Sequence, residues 1–162
     1  MTRILKPLSL AFAVAGGGVA CVVAAMMVAS IAMRSLWSSP IAGDVELTQL
    51  GIALAISLCL PWAQLHGANI IVDFFTQNLQ ERANRRLDAV GALLLAAMCA
   101  LLSWRTSMGA LAVRSAGETS MILDLPMWWA YASLAPGLAL TALIALVQAV
   151  RCWRGGPLVE PG

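Results

Sequence analysis

Charge is what this sequence lacks most. Of its 162 residues, 11% are Asp, Glu, Lys or Arg and 60% are hydrophobic, whereas ordinary soluble domains are about a quarter charged. The few charges sit in short clusters with long apolar runs between them. A water-soluble helical fold needs polar residues along the outer face of each helix. That supply is missing, so lipid is the expected solvent. The net charge is only +2, and no basic stripe of the kind nucleic acid requires is present. Histidine is nearly absent. His66 stands alone, so a bis-histidine haem bundle or a histidine-rich metal site has no ligand set within one chain. The four cysteines, Cys21, Cys59, Cys99 and Cys152, form no CxxC pair, and three lie inside apolar runs. They read as small packing residues, not as a disulfide framework or metal site. No catalytic constellation and no cofactor site emerge, and there is no internal repeat or low-complexity tract.

The apolar runs themselves define the expected fold. They cover Leu8–Met33, Leu47–Leu65, Ala89–Val113 and Leu125–Val150. Crossing about 30 Å of hydrocarbon takes about 20 apolar residues in a helix, so the sequence predicts an all-α membrane protein with four transmembrane helices. The third run is the weakest, because Arg105 interrupts it; near a helix end such a side chain snorkels to the headgroups. The other runs have no ionisable residue in their interiors. All six tryptophans (Trp37, Trp62, Trp104, Trp128, Trp129 and Trp153) fall near predicted span ends, where amphipathic rings prefer the interface. The first run begins after basic residues, as a signal peptide does, but it exceeds the 7–15 residues of a signal h-region and reads as a retained helix. Domain organisation is then one four-helix transmembrane domain over residues 1–154 and a disordered tail over 155–162.

Lys and Arg set the orientation. Arg3 and Lys6, then Arg82, Arg85 and Arg86, then Arg151 and Arg154 share one side, against Arg34, Arg105 and Arg114 on the other. Both termini are therefore expected in the cytoplasm. Between the second and third spans, Ile70, Ile71, Phe74, Phe75 and Leu79 recur at helical spacing, with Asn69, Thr76, Gln77 and Gln80 opposite. This predicts a short amphipathic helix lying in the cytoplasmic interface. Pro61 and Pro136 each remove a backbone donor within a span, and in lipid a neighbouring helix has to satisfy the freed carbonyl. Small residues recur every fourth position at Ala13, Gly17, Cys21, Ala25 and Ala29, and again at Gly137, Thr141, Ala145 and Ala149. Such stripes let helix backbones approach closely. Asp124 ahead of Leu125 and Pro126 reads as a helix start.

The remaining polar residues suggest contacts, not chemistry. Arg34 and Glu46 flank the first outer loop and are candidates for an ion pair at the membrane surface. His66 and Asp73 are seven apart, so a helical segment presents both on one side; they read as contacts to each other, to headgroups or to a partner. Glu118 sits in the second outer loop and is a candidate backbone or partner contact.

The chain also resembles the small membrane subunit of TRAP transporters, the DctQ-like family. The residues carrying the resemblance are Glu46, His66, Ile71-Val72-Asp73, Gly117-Glu118-Thr119-Ser120, Leu125-Pro126-Met127-Trp128-Trp129, Tyr131 and Pro136-Gly137. Members often show a Thr-Ser-Pro-Ala-Leu-like turn before a Pro-x-Trp helix start; here Met121 and Ile122 replace Pro-Ala. The resemblance implies a multi-pass subunit of a sodium-coupled importer of organic acids in the bacterial inner membrane. Its implied partners are a large elevator-type membrane subunit, which holds the sodium and substrate sites, and a periplasmic solute-binding protein. It implies a scaffold role with no substrate, metal or cofactor bound by this chain, and Arg34, Glu46, His66, Asp73, Arg105, Glu118, Pro126, Trp128 and Trp129 are the candidate structural or partner-interface residues. Two alternatives differ in class or kin. A stand-alone small multidrug exporter needs an acidic residue within its first helix, and Leu8–Met33 has none. The small subunit of a tripartite tricarboxylate transporter is similar in size and role, and the Pro-Met-Trp-Trp stretch favours the TRAP reading.

Overall fold

The computed structural model describes residues 2–37, 41–67 and 81–154, with side chains described for 5–36, 41–67 and 86–154. Four helices carry the chain: α1 (Thr2–Trp37), α2 (Asp44–Leu65), α3 (Glu81–Ala116) and α4 (Trp128–Trp153). Each is long and apolar enough to cross a membrane. Among the described residues there is no strand, only an isolated bridge between Thr119 and Pro126. The expected interfacial helix over 69–80 and the tail over 155–162 lie outside the described residues.

The first three helices exceed their apolar runs, because backbone hydrogen bonding continues until a specific signal ends it. In α3 that signal is Gly117, whose φ of +67° favours glycine. The Gly117 N–H reaches the Arg114 carbonyl at 3.3 Å and the Glu118 N–H reaches Val113 at 3.3 Å, the paired bonds of a Schellman stop. This extension revises the place of Arg105. It lies eleven residues before the end of α3 at Ala116, well inside the helix and not near its end. The fourth helix also starts later than expected, at Trp128, because Leu125 and Pro126 are committed to the preceding turn through the Ser120–Leu125 hydrogen bond and the Thr119–Pro126 bridge.

Packing places the helices in an open row, α3–α4–α2–α1, with extended contacts between neighbours and only a minor touch between α1 and α4. The α1–α2 pair is antiparallel: Ser30 near the end of α1 donates to Asp44 at the start of α2 at 2.6 Å, and Cys59 meets the Ala13 carbonyl farther down. The α3–α4 pair is antiparallel too, with Ser103 donating to the Ala135 carbonyl at 3.1 Å. By contrast α2 and α4 run in the same direction, since Ser57 bonds the Leu134 carbonyl and Gln64 bonds Gln148.

The core sits along α4, where Gly137, Thr141, Ala145 and Ala149 are all buried beside Leu140 and Ile144. At Gly137 the close approach is extreme. A Cβ there would collide with the carbonyl and hydroxyl of Ser57. Pro61 lies four residues after Ser57, so this carbonyl is the one that proline leaves without its helical donor. The Gly137 Cα–H faces it in place of an N–H, a weak but recurring helix–helix contact. On α1 the packed line is different from the expected stripe. Ser9, Gly16 and Ser30 are buried, whereas Gly17, Cys21, Ala25 and Ala29 are exposed. Gly16 wins because Ala55 and Cys59 of α2 press against it, and that contact rotates the neighbouring stripe outward.

Candidate functional site

Polar residues gather at the end of the row where α1 and α3 finish and α2 and α4 begin. After α3 the chain folds back on itself: the Ser120 N–H donates to the Leu125 carbonyl at 2.9 Å and the Met127 N–H to the Glu118 carbonyl at 3.1 Å. Asp124 closes this turn with φ of 51°, a left-handed conformation that Asp tolerates better than most residues. The turn docks on α2 in two ways. The Ser120 hydroxyl donates to the Glu46 carboxylate, and the Leu123 side chain fills the space where Gly43 lacks a Cβ. Gly43 has φ of +76°, so one glycine supplies both the backbone turn and the seat for Leu123. Beside this, the Asp44 carboxylate accepts from Ser30 at 2.6 Å and from the Val45 N–H at 2.8 Å, where the α2 N-terminus favours negative charge.

The structure therefore redistributes the expected contacts. Arg34 lies in the last turn of α1, and the carboxylate its charge acts on is Asp44, while Glu46 takes Ser120. Glu118 is exposed and enters the turn through its backbone carbonyl and N–H. Pro126 sits in the bridge opposite Thr119. Trp128 and Trp129 open α4 with ring centroids 5.6 Å apart, and the Arg114 guanidinium lies 5.2 Å from the Trp128 ring, a cation–π contact that ties the end of α3 to the start of α4. His66 is at the opposite end, capping α2, with its Nδ1 3.0 Å from the Trp62 carbonyl and its ring against Trp62. Asp73 lies outside the described residues. Arg105 is exposed on α3.

Several participants carried little sequence signal. Ser30 and Arg114 are ordinary near-interface residues until the fold pairs them, and Ser120 belonged to a recognisable stretch whose partner, Glu46, the sequence did not indicate. Gln64 and Gln148 also escaped the sequence reading: the Gln64 Nε2 donates to Gln148 Oε1 at 2.8 Å, and the Gln148 Nε2 donates to the Gln64 backbone carbonyl at 3.0 Å; the signal that could have found them is that a glutamine inside an apolar run needs a partner. Among the described residues no buried side-chain nitrogen or oxygen lacks a hydrogen bond, and no group of three His, Cys, Asp or Glu side chains converges. An apolar groove of about 720 Å³ runs between α3 and α4, floored by Ala96, Ala100, Ala139 and Ala142 and bordered by Trp104 and Leu143. Among the described residues, Ser30, Ser57, Gln64, Ser103 and Gln148 join one helix to the next, while Ser9, Thr48, Thr106, Ser107, Ser115, Ser133 and Thr141 bond back to their own helix.

Comparison with known proteins identifies a family. The family model described as the DctQ component of tripartite ATP-independent periplasmic transporters aligns with residues 23–155. No curated protein and no solved structure matched the chain. The matched segment takes in the C-terminal part of α1, then α2, α3, the turn at 117–127 and α4, so the chain belongs to the DctQ family, the small membrane subunit of these transporters.

Proposed function

We propose that this chain is the stationary scaffold of a sodium-coupled importer of organic acids, bracing a larger elevator-type subunit in the bacterial inner membrane with both termini in the cytoplasm. Transported solute and sodium are handled by the larger subunit, and a periplasmic binding protein delivers the solute. Family membership supports the setting. The observation that carries the scaffold role is the use of polar residues: each helix-to-helix polar contact, from Glu46–Ser120 to Gln64–Gln148, locks neighbours together. A transport path needs groups that change partners, and a frame needs groups that keep them. The end cluster around Glu46, Asp44 and the 117–127 turn faces the periplasm in this orientation and is suited to receive the binding protein. An exporter reading has no acidic residue within α1 to work with.

Sodium-dependent uptake in proteoliposomes tests this. Vesicles holding this chain alone, the larger subunit with binding protein, and all three together are compared. Transport by the complete set only is the expected result. Solute movement by this chain alone would overturn the scaffold role.

A further inference from the structure

Arg105 is a charge in an unusual place. It is exposed on α3, eleven residues from Ala116 and nineteen from Arg86, the ends of the candidate span. At 1.5 Å per residue these are about 16 Å and about 28 Å along the helix axis. No hydrogen bond or ion pair joins it to another described residue. The described acidic residues offer it nothing. Asp44, Glu46, Glu118 and Asp124 belong to the far end cluster, and Asp88 lies seventeen residues earlier on α3.

Snorkelling is a poor escape for this residue. A helical side chain leaves its backbone tilted toward the helix N-terminus. For Arg105 the nearer end of the span is the C-terminal one, so the side chain starts out away from it. The span end it leans toward lies about 28 Å away, several times the reach of an arginine. A charge inside an apolar span is costly in lipid and is normally met by an opposing group.

The surroundings of Arg105 have the form of a helix seam. Leu94, Met98, Leu101, Arg105, Met108 and Ala112 follow alternating steps of four and three residues, and all six are exposed. That spacing is the one by which two helices pack along a shared line, with a single polar position fixing partner and register. The seam is also at the edge of the row, since α3 packs extensively on α4 alone.

We infer that this face of α3 docks a membrane-embedded helix of the larger subunit that places a carboxylate opposite Arg105. The inference rests on the subunit reading above. The test is co-purification from membranes expressing this chain with an affinity tag alongside the larger subunit. Arg105→Leu and Leu101→Trp should each lower the recovered larger subunit about tenfold or more, as loss of one member of a buried charge pair does. Arg105→Lys should retain most of it. Each variant purified alone should keep the helical content of the parent. A benzophenone amino acid replacing Met98 in the otherwise unaltered chain should cross-link to the larger subunit. If Arg105→Leu recovers as much partner as the parent and the Met98 probe captures only lipid, the face is lipid-exposed and the inference falls. If the parent chain itself recovers no larger subunit, the subunit reading fails and takes the inference with it.

Discussion

Gly137 decides how near α2 can come to α4, because the Ser57 carbonyl occupies the place of its missing side chain. Gly137→Leu should separate the two helices and strip the contact from the carbonyl freed by Pro61. A loss of about 1–3 kcal/mol is expected for such overpacking, measurable as earlier thermal unfolding of the purified chain in detergent. The glutamine pair gives a second test. Gln148→Leu removes the acceptor at 2.8 Å and the donor at 3.0 Å from Gln64, and interhelical bonds of this kind average about 0.6 and reach about 1.7 kcal/mol in membranes. The double change Gln64→Leu with Gln148→Leu should cost less than the sum of the single changes, since both remove the same side-chain contact. Sequence made the first glycine visible through its stripe with Thr141, Ala145 and Ala149. It could not reveal Ser57 as the opposing residue, because pairing across 77 positions leaves no local trace.

Between helices, the turn at 117–127 is a built element and not a slack connection. Its conformation depends on Asp124 at φ of 51°. Asp124→Val places a β-branched residue in a left-handed conformation and should destabilise the turn by about 1–3 kcal/mol, whereas Asp124→Gly should be tolerated. Protease sensitivity of the turn, read by cleavage rate, separates the two. At this scale the sequence was legible where hydropathy governs and silent where geometry does. All four spans were visible as charge-poor runs, and Asp124 with Pro126 marked a boundary. That boundary proved to be a folded turn ahead of Trp128, because hydrogen bonds between its two limbs, not helix propensity, set its shape. The α1 stripe misled for a related reason. In a helix with alanine or glycine at so many positions, periodicity offers several faces, and only the partner helix selects among them.

Across the whole molecule the arrangement is a row and not a closed bundle, a distinction that hydropathy cannot carry because every helix is apolar on most sides. Cysteine pairs introduced in place of Gln64 with Gln148, and of Ser30 with Asp44, should oxidise readily in a background lacking the four native cysteines. Pairs at mid-height on α1 and α3 should not, since neighbouring axes sit about 8–10 Å apart and two other helices intervene. Efficient α1–α3 cross-linking would instead indicate a closed bundle.

The shared direction of α2 and α4 has a consequence for how the chain is made. Helices joined by a short loop enter the membrane as antiparallel hairpins, and a same-direction contact can form only between separate hairpins. The α1–α2 pair therefore rests in lipid with Gln64 still waiting for Gln148, 84 residues downstream. At bacterial-type synthesis rates of about 5–20 residues per second, that wait lasts about 4–17 s. During it the α2–α4 contact that fixes the row does not yet exist, so the pairing of the two hairpins is settled only once α4 has been made.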